Sequence, residues 1–75
     1  MSYQGHRNWN HWNVSLWINN DEWLYDLARQ FVRRGPTLNV AARRMHEALR
    51  EFNQHKTPDG APYSATTIRA ALRGM

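Results

Sequence analysis

Cysteine and long apolar runs are both missing from this chain of 75 residues. The lack of cysteine excludes disulfides, thiolate metal sites and a cysteine nucleophile. No stretch approaches the roughly 20 apolar residues that cross a bilayer, and the first residues lack the hydrophobic segment of a signal peptide. We therefore expect no membrane partner and a protein that stays in the cytoplasm of the cell that makes it.

The chain is also short, and its first eight residues are mostly polar. A domain of this size buries only about 60% of the surface of its unfolded chain, which leaves a thin core. We expect a flexible N-terminal tail over residues 1–8 and a single helical domain over residues 9–75. Oligomerisation is a common remedy for so small a core, so self-association is an open alternative.

Signatures of catalysis and of metal binding are absent as well. Ser15 and Ser64 lack a recognisable nucleophile setting, and the sequence has no glycine-rich phosphate loop. No two of the four histidines stand four residues apart, the spacing that places two imidazoles on one helical face. We expect no enzyme, no catalytic residues, and neither a cofactor nor a metal site.

Tryptophan is what the chain has in excess. Its four tryptophans all lie in residues 9–26, which we call the Trp-rich block: Trp9, Trp12, Trp17 and Trp23. Each ring can bury roughly 150–250 Å², so the block is suited to building a core. Alternatively, one or two rings stay exposed as anchors for a partner, because tryptophan is favoured at binding hot spots.

Two conformations fit the start of the Trp-rich block. Apolar residues alternate over residues 12–18, as on a half-buried strand, but Trp9 and Leu16 also fit helical spacing. A lone strand would leave its backbone groups unpaired, and no second strand is evident. We therefore predict a short helix, capped by Asn8 or Asn10.

The same block carries a family resemblance. Residues 12–21 have the pattern Trp-Asn-x-x-Leu-Trp-Ile-x-Asn-Asp, and further matching residues lie on either side of it. The residues that carry the resemblance are Asn10, Trp12, Asn13, Val14, Leu16, Trp17, Ile18, Asn20, Asp21, Leu24, Tyr25, Leu27 and Ala28. The similarity extends weakly through residues 57–60, Thr-Pro-Asp-Gly, and residues 67–69, Thr-Ile-Arg. This resembles a family of small proteins from tailed phages and prophages, although Trp23 stands where that family has a small residue. The resemblance implies a viral or mobile-element origin, a bacterial host cell and a small accessory role, with no catalytic residues to transfer.

Capping residues and apolar spacing indicate a second helix. Asn19 is its expected N-cap, and Glu22 then falls where it can complete a capping box. Ile18 and Trp23 are spaced for a hydrophobic staple around that cap. The helix is expected to end at Gly35, which is followed by proline.

Two more helices follow. Thr37 is placed to cap the third, and Ser64 to cap the fourth, with Tyr63 and Ile68 spaced for a second staple. Between them, residues 57–60 combine proline and glycine in a predicted turn. The fold class is therefore all-α: a small bundle of about four helices, with the Trp-rich block capping the core. The predicted core residues are Trp12, Leu16, Trp17, Leu24, Leu27, Phe31, Met45, Leu49, Ile68 and Leu72.

Positive charge dominates the surface composition, with a net charge of +4 and a pI near 10.4. Arginines flank residues 35–36 from both sides and would gather at one end if the second and third helices pack antiparallel: Arg29, Arg33, Arg34, Arg43 and Arg44. They form either a solvated rim or an anion-binding patch, since arginine pairs with phosphate and carboxylate alike. Arg69 and Arg73 on the last helix are expected to face outward and could contact DNA phosphates.

Three functions remain open at this point. Small size, the surplus of aromatic residues and the resemblance favour an accessory protein that binds and modulates a host protein, most simply by inhibition. The alternative is a small basic DNA-binding protein that uses the C-terminal helix and the arginines as its nucleic-acid contacts. A virion structural or assembly role is the third and weakest interpretation.

Overall fold

The computed structural model describes residues 8–75. These fold into four helices: α1 (Trp9–Asn20), α2 (Glu22–Arg34), α3 (Leu38–Glu51) and α4 (Ala65–Leu72). Apart from a single antiparallel bridge between Lys56 and Pro62, the remainder of the described chain is turn and loop. The all-α small bundle is confirmed. The expected tail over residues 1–8 lies outside the described residues, except for Asn8.

The start of the Trp-rich block is helical. Asn8 caps α1 through its side-chain oxygen, which accepts a hydrogen bond from the His11 backbone N–H at 3.0 Å. Near the other end, the Asn19 and Asn20 side-chain amides donate to the backbone carbonyls of Ser15 and Leu16 at 2.8 and 2.7 Å. Both asparagines therefore belong to α1, which runs to Asn20.

Asp21, and not Asn19, is the N-cap of α2, so the predicted cap is wrong. The Asp21 side chain accepts from the Leu24 N–H at 3.0 Å, while its backbone N–H donates to the Trp17 carbonyl at 2.9 Å. A carboxylate is also favourable at the positive end of a helix. Because the cap lies two residues later, Glu22 is the first residue of α2 and is not placed for a capping box.

Helices α2 and α3 run antiparallel across the connection of residues 35–37. The Trp23 ring, at the start of α2, packs edge to face on the Phe52 ring after the end of α3, with centroids 5.6 Å apart. At the opposite end, a Cβ added to Gly35 would stand 3.0 Å from the Ala41 Cβ and from the Phe31 carbonyl oxygen, so a larger residue would require these neighbours to shift by a few tenths of an ångström. Thr37 caps α3 as predicted, accepting from the Val40 N–H at 3.2 Å.

The capping box predicted from sequence at α2 occurs instead at α4. The Ser64 side chain accepts from the Thr67 N–H at 3.1 Å, and the Thr67 hydroxyl accepts from the Ser64 N–H at 2.9 Å. Tyr63 and Ile68, the expected staple pair, are both buried. Burial, reinforced by the negative charge of Asp21, raises the pKa of the Tyr63 phenol.

Each helix packs on its neighbours in sequence, and α1 also packs on α4, which closes a ring around the core. Helix α1 is therefore a full member of the bundle and more than a cap, since Val14 and Ile18 are both completely buried. Of the predicted core, five residues are buried: Leu24, Met45, Leu49, Ile68 and Leu72. Four are partly buried: Trp12, Trp17, Leu27 and Phe31.

Leu16 is the predicted core residue that the structure places outside, because its side chain is 39% exposed. At 3.6 residues per turn, successive helical residues are about 100° apart. The buried face of α1 is set by Val14 and Ile18, so Leu16 points about 160–200° away from both. The alternation of apolar residues over 12–18 therefore does not indicate a strand, and it does not identify the core residues of α1. Of its four members, only Val14 and Ile18 are fully buried.

Candidate functional site

A polar network joins the 57–60 turn to α1. The Asn13 amide and the Trp17 indole N–H both donate to one carboxylate oxygen of Asp59, each at 2.9 Å. The Thr57 hydroxyl donates to the Asn13 side-chain oxygen at 2.6 Å and accepts from the Ala61 N–H at 3.0 Å. Asn13 and Thr57 are buried. The network therefore fastens the turn to the helix through donors and acceptors that satisfy one another.

The turn itself has the geometry that its sequence predicts. The Gly60 N–H donates to the Thr57 carbonyl at 2.9 Å, and Gly60 has a φ of +97°, which favours glycine. The two donors on Asp59, the Asn13 amide first and the Trp17 indole second, favour the charged carboxylate and lower its pKa. Partial desolvation acts in the opposite direction. The arrangement stabilises the charged carboxylate of Asp59 and, through its hydrogen bonds, the folded turn.

This network makes the stability of the domain sensitive to acid. The pKa of Asp59 is lowered in the folded protein, so the unfolded chain takes up the proton first, near its ordinary pKa of about 3.9. The contribution is complete at about pH 5 and above, decreases as the pH falls through the unfolded pKa, and is lost once the pH is below the lower folded pKa. We expect the free energy of unfolding to fall on acidification in this range, and Asp59→Asn to remove that part of the decrease.

The measurement is chemical unfolding of the parent and of Asp59→Asn across the acidic range. Asparagine retains a side-chain oxygen that can accept from Asn13 and Trp17, so the variant isolates the charge. The other carboxylates titrate in both proteins, and only the difference between the two curves reports Asp59. Parallel curves would show that this carboxylate does not contribute.

An exposed aromatic pair lies at one end of the α2–α3 hairpin. Trp23 is 48% exposed and Phe52 is 59% exposed, although the two rings contact each other. An open hollow of about 380 Å³ lies on the last turns of α3 and the loop that follows them. It is lined by Glu47, Arg50, Glu51 and His55. We call the aromatic pair together with this hollow the aromatic end.

The predicted arginines lie toward the opposite end of the same hairpin, which we call the arginine end. Arg33 and Arg34 are exposed in the last turn of α2, and Arg43 and Arg44 are exposed on α3. The antiparallel packing brings these four toward the side of the 35–37 connection. At 1.5 Å per residue, they lie about 12–16 Å from the aromatic pair along the helices. Arg29 lies between, with its guanidinium 5.8 Å from the centre of the Tyr25 ring.

The C-terminal helix presents less positive charge than predicted. Arg73 is exposed, but Arg69 is half-buried, and its Nε is shielded from solvent with no hydrogen-bond partner among the described residues. Arg69 is therefore less exposed than expected. Helix α4 packs on both α1 and α3, which leaves only a narrow side of this short helix in solvent.

Two features of the site escape sequence reasoning. Asn13 and Asp59 are 46 residues apart, and the only local sign of the network is the spacing of Asn13 and Trp17, which puts them on one face of α1. Trp23 and Phe52 each belong to an apolar stripe, so both resemble core residues. Their exposure follows from where two helices end against each other, which no single helix pattern shows.

Within residues 8–75, no group of three or more histidines or acids stands close enough together to hold a metal ion. In the same residues no helix has the length and apolarity needed to cross a bilayer. Comparison with curated proteins and with solved structures gave no match. A family model does match, and it covers residues 1–75. The chain belongs to that family, a family of unknown function (DUF7249).

Proposed function

We propose that this chain is a phage-encoded accessory protein that binds a host protein in the bacterial cytoplasm and inhibits it. The observation that carries the proposal is the exposed Trp23–Phe52 pair. A single exposed apolar side chain is ordinary on a protein surface. Two large rings in contact, each about half exposed or more, provide the rigid apolar area found at binding hot spots.

The core does not account for these rings. Phe52 follows the last turn of α3, and Trp23 lies in the first turn of α2, at a position where the phage family that the chain resembles has a small residue. A smaller side chain would leave the cluster of buried residues intact, because that cluster does not include either ring. The exposed pair is therefore more readily explained by a partner than by folding.

The phage origin rests on the resemblance of the Trp-rich block, and the preference for binding over catalysis rests on the described side chains. The acceptor oxygens of the polar network hold the 57–60 turn in place. The remaining conspicuous groups are an aromatic pair and exposed arginines, which recognise partners by contact and by charge. Inhibition is the simplest outcome of such binding when a small protein covers a functional surface.

The test is affinity capture from host lysate with the parent and with Trp23→Ala. We expect the parent to recover one host protein in stoichiometric yield. Trp23→Ala should weaken this binding by roughly 30-fold or more, which corresponds to the loss of 2 kcal/mol or more at a hot spot. Its melting temperature should change little, because nearly half of the ring is already in solvent.

Trp9→Ala is the matched control, since Trp9 is 38% exposed on a different helix. Capture by this variant should equal that of the parent. Equal loss of binding in both variants would assign the effect to general surface apolarity. Full capture by Trp23→Ala would remove the aromatic pair from the proposal.

A second candidate, DNA binding, is favoured by the gathering of Arg33, Arg34, Arg43 and Arg44 at the arginine end. A duplex bound there would show affinity that falls steeply with salt. Arg33→Gln combined with Arg43→Gln would then lower the slope of log K against log salt by about two. Under the first proposal, parent affinity for duplex DNA is weak at physiological salt and the aromatic variants do not alter it.

A further inference from the structure

We infer that the partner segment seated on the aromatic end is cationic, although the chain itself carries a net charge of +4. The inference rests on the proposed function, since it names the chemistry of the partner bound at the Trp23–Phe52 pair. The exposed rings show where a partner would bind, and the distribution of charge around them indicates the charge of the partner segment.

Acidic and basic residues are separated along the α2–α3 hairpin. Glu22 and Asp26 lie in the first half of α2, and Glu47 and Glu51 lie in the second half of α3. The contact between Trp23 and Phe52 shows that these halves adjoin. Four carboxylates therefore lie on the helix halves that carry the aromatic pair, against Arg50 on the same half of α3 and Lys56 in the loop that follows, while the other halves of α2 and α3 hold no acid.

Helix stability explains only the α2 part of this separation, where Glu22 lies in the first turn and Arg33 and Arg34 lie in the last turn. On α3 the order is reversed, because Arg43 and Arg44 precede Glu47 and Glu51, and Glu51 lies in the last turn, where an acid opposes the helix dipole. The α3 charges are therefore not explained by the dipole of their own helix. Together with those of α2 they create a directed field, which is suited to steering and selecting a partner.

The aromatic end has the groups that bind a guanidinium or an ammonium. The face of an indole ring attracts a cation within about 6 Å of its centre, and carboxylates on the neighbouring turns provide hydrogen-bond acceptors. A cation–π contact of this kind already occurs within the protein, where the Arg29 guanidinium lies 5.8 Å from the centre of the Tyr25 ring. A partner segment with an apolar anchor and arginine or lysine beside it would match the rings and the acidic hollow together.

A second copy of the chain could in principle offer its arginine end to the aromatic end. Such a contact joins two different surfaces and does not close, so it would extend into open chains. The copies would also repel each other at long range, since each carries a net charge of +4. We therefore assign the surface to a separate cationic protein segment.

The probe is an amphipathic helical peptide with leucine on one face and arginine on the other, compared with a counterpart that has glutamate at every arginine position. Two-dimensional NMR of the parent, titrated with each peptide, maps where each binds. The cationic peptide should shift the indole signal of Trp23 and the backbone signals of Glu47, Glu51 and Phe52. The anionic peptide should leave these signals unmoved.

Charge variants make the test quantitative. Glu47→Gln combined with Glu51→Gln should weaken the cationic peptide by up to about fivefold for each charge removed and flatten its salt dependence. Arg50→Gln should strengthen binding, because it removes the one opposing charge on the lining of the hollow. Arg34→Gln is the matched control and should leave the affinity within about twofold, because at 1.5 Å per residue Arg34 lies about 16 Å from Trp23 along α2, which is more than a Debye length.

Several results would overturn the inference. These are binding of the anionic peptide at the aromatic end, no binding of the cationic peptide there, or head-to-tail association of the protein alone as its concentration rises. The proposed function fails separately, when host-protein capture is unaffected by Trp23→Ala. If capture of the host protein depends on Trp23 but not on the four carboxylates, the inference of a cationic partner is wrong, but the proposed function is still supported.

Discussion

Ile18→Ala should lower the free energy of unfolding by about 2–5 kcal/mol, the usual range for emptying a buried aliphatic site. Ile18 has no solvent exposure, and its helix packs on both α2 and α4. The deleted methyl and methylene groups would leave a cavity at the centre of a closed ring of helices. Small domains have only about 5–15 kcal/mol of stability in total, so the loss is a large share. Urea unfolding of the parent and the variant measures it.

Leu16→Ala, two residues away on the same helix, is the matched control. Leu16 is 39% exposed and lies on the opposite face, so its truncation should cost less than about 1 kcal/mol. Equal losses at the two positions would mean that α1 is not oriented as described. A small loss at Ile18 would mean that α1 lies over the core without being part of it.

Asn13→Ala is expected to have the second-largest effect, about 2–3 kcal/mol. The substitution removes the acceptor of the Thr57 hydroxyl, whose bond to the Asn13 oxygen is 2.6 Å long and buried. A buried polar group left without its partner costs about 1–3 kcal/mol, and the lost packing adds to this. Asp59 would also lose its first donor, which frees the 57–60 turn from α1.

Asn10→Ala provides the comparison, because Asn10 lies one turn earlier on the same helix and is only partly buried. Thermal unfolding of the two variants should separate them clearly, with Asn10→Ala within about 0.5 kcal/mol of the parent. If Asn13→Ala unfolds like Asn10→Ala, the network is a surface feature that contributes nothing to folding.

Local chemistry predicted most of the fold. Thr37 and Ser64 act as caps because a hydroxyl before an apolar helix has a defined local role. The boundary between α1 and α2 was misplaced, since Asn19 and Asp21 can both cap a helix and nothing local decides between them. The structure decides through the Asn19 and Asn20 amides, which bind carbonyls of α1 and extend it.

The candidate site was only partly predictable. The arginine end followed from the spacing of basic residues around a short connection. The Trp23–Phe52 contact and the Asn13–Asp59 bond each join residues far apart in sequence, and both depend on how helices pack. The exposure of Trp23 could not be read from its apolar neighbours, because the first turn of a helix can project beyond the element that it packs on.

Two parts of the family resemblance meet in the polar network. Asn13 and Trp17 belong to its main block, residues 57–60 belong to its weaker continuation, and the two parts contact each other through Asp59. These residues of the resemblance therefore have a role in folding. Trp23, which departs from the pattern, is the most exposed of the four tryptophans, at 48%.

We propose that folding and binding depend on different residues of the Trp-rich block. Two quantities separate them in Asn13→Ala and Trp23→Ala: the free energy of unfolding, and the yield of host protein captured, corrected for the folded fraction. We expect Asn13→Ala to lose stability but to bind normally when folded, and Trp23→Ala to keep its stability but to lose binding. Binding that falls in parallel with stability in both variants, or capture by Trp23→Ala that equals capture by the parent, would show that the two roles are not divided in this way.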